Sequence, residues 1–133
     1  MRYMYLVIGA QDYGPPPQHL MDEMAKLTEK RLADGSMIDS GGLLPTPMGA
    51  ARFTLKGGKI KMTDGPFAES KEVVGGYAIF EFATREEAIA SAMEFMELHR
   101  LHAEGWEGTC EMRPMFGMEA SGAEPPCVQG ATA

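Results

Sequence analysis

Residues Tyr3 to Ala10 form an unbroken apolar run, and its two alternate faces are equally apolar. Tyr3, Tyr5 and Val7 would stand on one side of a strand, and Met4, Leu6 and Ile8 on the other. The aromatic and β-branched content of Arg2 to Ile8 favours that strand. Gly76 to Phe82 has the same two-sided character. Burying one large apolar side chain is worth roughly 1.5–3 kcal/mol, so a sheet built on two such strands needs cover on both faces. That requirement constrains the fold more than any other feature of the chain.

Helical material is available for one face only. From Gln18 to Asp34, Leu20, Met24 and Leu27 recur at helical spacing, as do Met21, Ala25, Thr28 and Leu32, and Gly35 is suited to stop the helix. A second helix follows Thr84-Arg85-Glu86-Glu87, which reads as a capping box. Ile89, Ala92, Met93 and Met96 mark its expected buried face, and it should end between Arg100 and Glu104, before Gly105. Further strands are expected at Met37 to Leu44 and at Thr109 to Met115. Ala51 to Lys56 and Lys59 to Thr63 flank Gly57-Gly58 as a hairpin. Asp64 to Gly76 reads as a long polar loop. With the hairpin set aside, the order is β-α-β-β-α-β, an α+β ferredoxin-like plait. Two helices cover one face of such a sheet, and a second copy of the chain is the simplest cover for the other. The expectation is a homodimer through the sheet face.

At 133 residues the chain has room for one domain. We read that domain as residues 1–116, with 117–133 a low-complexity tail rich in Gly, Ala, Ser, Pro and Glu. Net charge is −7, which argues against nucleic acid or an anionic membrane as partner, since both need a clustered basic field. No run approaches the ~18 apolar residues of a membrane span. The first apolar run stops too early for a signal peptide, so the cytoplasm is the expected compartment. Cys110 and Cys127 then read as free thiols.

Three groups of residues carry possible chemistry. The first is Thr63-Asp64-Gly65-Pro66-Phe67-Ala68-Glu69-Ser70-Lys71-Glu72. Gly65-Pro66 shapes a sharp turn, after which Phe67 can return to apolar surface. Asp64 serves there either as a turn cap or as a binding or catalytic acid, and Glu69 and Lys71 add charge to the same loop. The second is His19, at the start of the first helix, with Asp12 a short loop away. A carboxylate that orients an imidazole makes a general acid/base pair, against a bland reading of His19 as an exposed helix-start residue. The third is His99 and His102, three apart near the end of the second helix. Their spacing permits a metal, but no further ligand is placed beside them, and histidines in a last turn also suit the helix dipole. Trp106 reads as a packing anchor at the helix-to-strand corner. The 12 methionines read chiefly as core filler, with Met4 and Met37, beside Gly41-Gly42, as candidate pocket lining. Neither Gly41-Gly42 nor Gly75-Gly76 sits in a phosphate-binding pattern, and no cofactor is expected.

The segment from Asp64 through Tyr77 resembles the signature of the DGPF family, within the YCII-like superfamily. The resemblance extends to Met1-Arg2-Tyr3-Met4, to Gly41-Gly42-Leu43-Leu44-Pro45 and to Cys110-Glu111-Met112-Arg113-Pro114-Met115. It implies a ferredoxin-like plait that pairs as a homodimer. Proteins similar to YCII carry a His–Asp pair proposed to be catalytic, and His19 with Asp12 resembles its positions. The connecting loop is shorter here. Some relatives are encoded beside sigma factors of the extracytoplasmic-function type, which implies a signalling accessory. Three functions follow: a small-molecule-binding or signalling-accessory protein, with Asp64, Gly65, Pro66, Phe67, Glu69 and Lys71 as binding residues; an acid/base enzyme using Asp12 and His19; or a module for a partner protein.

Overall fold

The computed structural model describes residues 1–10, 15–67 and 70–116. The order is β1 (Arg2–Ala10), α1 (Gln18–Ala33), β2 (Met37–Gly42), β3 (Ala51–Lys56), β4 (Lys59–Asp64), β5 (Glu72–Glu81), α2 (Arg85–His102) and β6 (Thr109–Met115). Strands β2-β5-β1-β6 form one antiparallel sheet in that order, while β3 and β4 pair only with each other. With the hairpin set aside, this is the ferredoxin-like plait: the first and third strands are central, and the crossovers carry the helices.

Register sorts the side chains. Tyr3 stands beside Phe80 and Pro114, and Tyr5 beside Ala78 and Met112. Met37 stands beside Phe80. Tyr3, Tyr5, Met37, Phe80, Phe82 and Ala88 make the core, with Ala78, Ala92, Cys110 and Met112 packed against it. Met4 beside Ile79 and Leu6 beside Tyr77 therefore lie on the opposite face, where no helix of the described residues covers them.

The two helices end in recognisable ways. Helix α1 follows Pro17, whose carbonyl accepts from Met21 N–H at 3.1 Å. It stops at Asp34, with Gly35 at φ +80° just beyond. At the head of α2, the Thr84 hydroxyl oxygen accepts from Glu87 N–H at 3.2 Å and the hydroxyl donates to the Glu87 carboxylate at 3.1 Å. The helices run antiparallel and meet at two points. Arg31 Nη2 donates to Glu94 Oε1 at 2.5 Å, and the rings of His19 and His102 meet edge to face at 4.3 Å.

Three expectations change. Strand β5 begins at Glu72, so the polar loop is shorter than Asp64 to Gly76. The pair Gly75-Gly76 lies within the strand, where Gly75 is the bulged residue: Val7 pairs with Gly76 and Ile8 with Val74. A Cβ on Gly76 would lie 3.3 Å from the Gly41 carbonyl oxygen, and one on Gly41 would lie 2.9 Å from the Tyr77 ring. These glycines let β2 and β5 approach, and do not break the strand. Second, the buried stripe of α2 is Ala88, Ser91 and His99, whereas Ile89 and Met93 are exposed. The inner face is rotated by about one residue because polar Ser91 and His99 belong to it. Third, methionine is not mainly filler: Met1, Met21, Met48, Met62 and Met93 are exposed. The tail, 117–133, lies outside the described residues.

Candidate functional site

Helices α1 and α2 do not close fully onto the sheet. Between the two layers lies a cavity of about 830 Å³. That is within the usual range for a site that encloses a small organic molecule. Leu20, Met24 and Leu27 enter it from α1, Met37 from β2, and Tyr5 and Phe80 from the central strands. Helix α2 contributes Ser91, Phe95 and His99, and Trp106 closes one end. Ala10 and Pro15–Pro17 form part of the wall at the end of β1. No Asp, Glu, Lys or Arg is among the described residues that line it. A described lining without charged groups disfavours ionic ligands, which would lose hydration there.

Two polar groups inside are already engaged. Tyr5, 3% exposed, donates its hydroxyl hydrogen to the Ala88 carbonyl at 2.5 Å. Burial pushes the Tyr5 pKa up to about 12, with a partly opposing hydrogen bond from Ser91. Tyr5 and Ser91 thus satisfy each other and the helix backbone.

His99 is different. It is 6% exposed, with its ring between Phe95 and Trp106, each at 4.5 Å between centroids. Its Nδ1 lies 3.0 Å from the Phe95 carbonyl, one turn back on its own helix. A carbonyl only accepts, so Nδ1 carries the hydrogen and Nε2 is a bare acceptor. Among the described residues nothing donates to Nε2. Burial lowers the His99 pKa, so the ring is neutral at pH 7.

His99 and Trp106 also line a second, more open depression of about 640 Å³ on the other side. Its remaining walls include Lys71, Glu72, Arg100 and Glu107. The two rings thus form a partition between an apolar chamber and a polar one. Gly108 holds the indole in place, since a Cβ there would lie 2.3 Å from Trp106 Cζ2. Trp106 is the corner anchor expected from sequence and a wall as well.

The residues singled out from sequence are placed elsewhere. Asp12 and Glu69 lie outside the described residues. His19 is exposed, does not line the chamber, and packs on His102. His99 and His102 therefore do not act together, because their rings turn to different neighbours. Among the described residues, no three His, Cys, Asp or Glu side chains gather as a metal set. Asp64 is an exposed residue at the end of β4. Gly65 donates its N–H to the Ala50 carbonyl at 2.8 Å, and a Cβ there would be 2.0 Å from the Thr46 oxygen. The Gly65–Pro66 peptide is cis. Phe67 lies under the Arg52 guanidinium, 4.0 Å from its ring centre. This loop secures the base of the hairpin, and of the described members of the segment only Lys71 and Glu72 border either cavity.

Sequence reasoning weighed His99 only as a metal ligand beside His102, and passed over Tyr5 and Ser91 as site residues. The usable signal was a polar pair, Ser91 and His99, eight positions apart on one helix face, about 12 Å along the axis. Cys110 is a free thiol on the helix-facing side of β6, and burial raises its pKa. No helix among the described residues is long and apolar enough to cross a membrane.

A search of curated proteins finds no match. The family model of the YCII-related domain matches residues 1–96, from β1 into α2, so the chain belongs to the YCII-related domain family.

Proposed function

We propose that this YCII-related protein, of the DGPF type by its Asp64-to-Tyr77 segment, binds a small apolar molecule in the chamber between its helices and its sheet. The chamber of about 830 Å³, whose described lining carries no charged residue, carries the reading. A domain of this size ordinarily fills such a space with side chains. No comparable observation supports acid/base chemistry by Asp12 and His19, because His19 is exposed and sits outside the chamber. The test is NMR of the methionine methyls during titration with naphthalene. Met24 and Met37, which line the chamber, should shift and saturate, while exposed Met21 and Met93 stay in place. Equal shifts at all four, or none, would refute the reading.

A second reading concerns assembly. The open sheet face presents Met4, Leu6, Ile8 and Ile79, and the hairpin presents Phe53, Leu55, Ile60 and Met62 together on one side. These two apolar surfaces support a homodimer that buries both. The hairpin holds four of the chain's twelve basic residues and one of its nineteen acidic ones, so the rest of a second copy is an acidic partner for it. Light scattering should give a mass near twice 14.5 kDa, and a stable monomer would refute the pairing.

A further inference from the structure

We infer that the chamber selects an uncharged aromatic molecule bearing a hydroxyl group, whose O–H donates to Nε2 of His99. The inference rests on the small-molecule reading above and adds the ligand's chemistry.

Three observations lead to it. The first is that the described lining residues carry no formal charge, which favours a neutral ligand. A carboxylate or ammonium placed there would lose its hydration with no counterion to replace it. The second is the aromatic wall. Tyr5, Phe80, Phe95 and Trp106 all border the space, and aromatic rings gain from offset and edge-to-face contact beyond the area they bury.

The third observation fixes the polar group. Tyr5 gives its hydrogen to the Ala88 carbonyl, and Ser91 is engaged with Tyr5. His99 spends its Nδ1 hydrogen on the Phe95 carbonyl. The two ring nitrogens lie on opposite sides of the imidazole, so Nε2 is directed away from the helix that holds Nδ1. In a residue 6% exposed, that acceptor has no donor among the described residues. A ligand that displaces water from this acceptor must supply a donor or leave it bare, which is costly, so the site rejects analogues that lack the donor. The matching group is an O–H, and the aromatic wall makes it a phenol-type hydroxyl. Placed at Nε2, that hydroxyl lies against the Trp106 end of the chamber, while the ring system extends toward Leu20, Met24 and Phe80.

The partition gives this arrangement a further property. His99 also borders the polar depression, so an O–H at Nε2 lies at the boundary of apolar and polar space. The apolar body is enclosed and the hydroxyl is nearest to water, which is the orientation an amphipathic aromatic would adopt unaided.

The test uses the full chain and three probes of one shape: 2-naphthol, 2-methylnaphthalene and 2-methoxynaphthalene. Calorimetric titration should show 2-naphthol bound about tenfold more tightly than the other two, the increment of one hydrogen bond of ordinary net strength. The His99→Phe variant should retain 2-methylnaphthalene affinity and lose that preference. Because this variant removes a buried ring with two partners, a second measurement needs no substitution. The ¹⁵N shift of His99 Nε2 in the wild-type protein should move with 2-naphthol and stay fixed with 2-methylnaphthalene. Equal affinity for 2-naphthol and 2-methylnaphthalene, or a still Nε2 signal with bound 2-naphthol, would overturn the inference and leave the small-molecule reading standing. Failure of every probe to bind would overturn both.

Discussion

The four-stranded sheet and the β3–β4 hairpin are built from the same alternation of side chains, and they end in opposite conditions. In the sheet, Tyr3, Tyr5 and Phe80 turn to one side and are buried under two helices. In the hairpin, Phe53, Leu55, Ile60 and Met62 turn to one side and are 67, 71, 74 and 55% exposed. Strand pattern decides which side is apolar, but it does not supply the layer that covers it. A lone two-stranded hairpin is marginal in water. Here its base is tied by Gly65 to Ala50 and by Arg52, which caps Phe67 and donates to Ser70 at 3.0 Å. The sheet draws its stability from within the chain, whereas the hairpin's apolar side is left for something outside it.

The contrast is most easily broken by truncation. Phe80→Ala should cost about 3–5 kcal/mol in chemical denaturation, because it empties the centre of the core. Phe53→Ser with Ile60→Ser should leave the unfolding of dilute protein within about 0.5 kcal/mol of wild type, as for surface positions. If the proposed dimer forms, the same pair should shift its light-scattering mass to 14.5 kDa. If the hairpin pair unfolds the domain as Phe80→Ala does, the two regions are not separable in this way.

A smaller effect comes from one hydroxyl. Tyr5→Phe keeps the ring and removes the donor to Ala88, with an expected loss of about 1 kcal/mol. The Tyr5 pKa of about 12 lies above the ordinary value of 10.0. As pH rises from 10, the unfolded chain loses this proton first, and stability falls until the folded value is passed. Tyr5→Phe should flatten that alkaline limb. His99 governs the mildest effect, on the acid side. Its pKa is lowered by burial, so the unfolded chain gains the proton first as pH falls below 6.5. Stability therefore declines from that point, and the decline is complete below the folded value. His99→Phe should lack this component, and the hairpin substitutions should leave both limbs unchanged. Thermal melts across pH would show either outcome.

Much of the architecture was legible before any coordinates. Alternation in Arg2 to Ile8, helical spacing around Leu20 and Met24, and Gly57-Gly58 between two short strands place their elements to within a few residues. The inner face of α2 was not legible, because Ser91 and His99 are residue types that normally mark an outer face. Nor was the start of β5, since Gly75-Gly76 signals a break unless the neighbouring Gly41 and Tyr77 are known. The chamber is harder still. Tyr5, Met24, Met37 and Phe95 read as core, and a space that core residues surround without filling leaves no mark in a sequence. The Asp64 loop drew attention as chemistry, while the structure gives its described residues a fastening role at the hairpin base.

Trp106 is the chain's single tryptophan, and it stands where the apolar and polar chambers meet. Its position makes the molecule its own optical gauge. Indole emission depends on the medium around the ring, and here one ring samples two media at once. An apolar occupant of the inner chamber displaces the emission toward the blue, and a polar occupant of the outer depression leaves its colour and alters its yield. Occupancy of either side can thus be read without a label. Gly108, by admitting no side chain beneath the indole, keeps that gauge in one orientation.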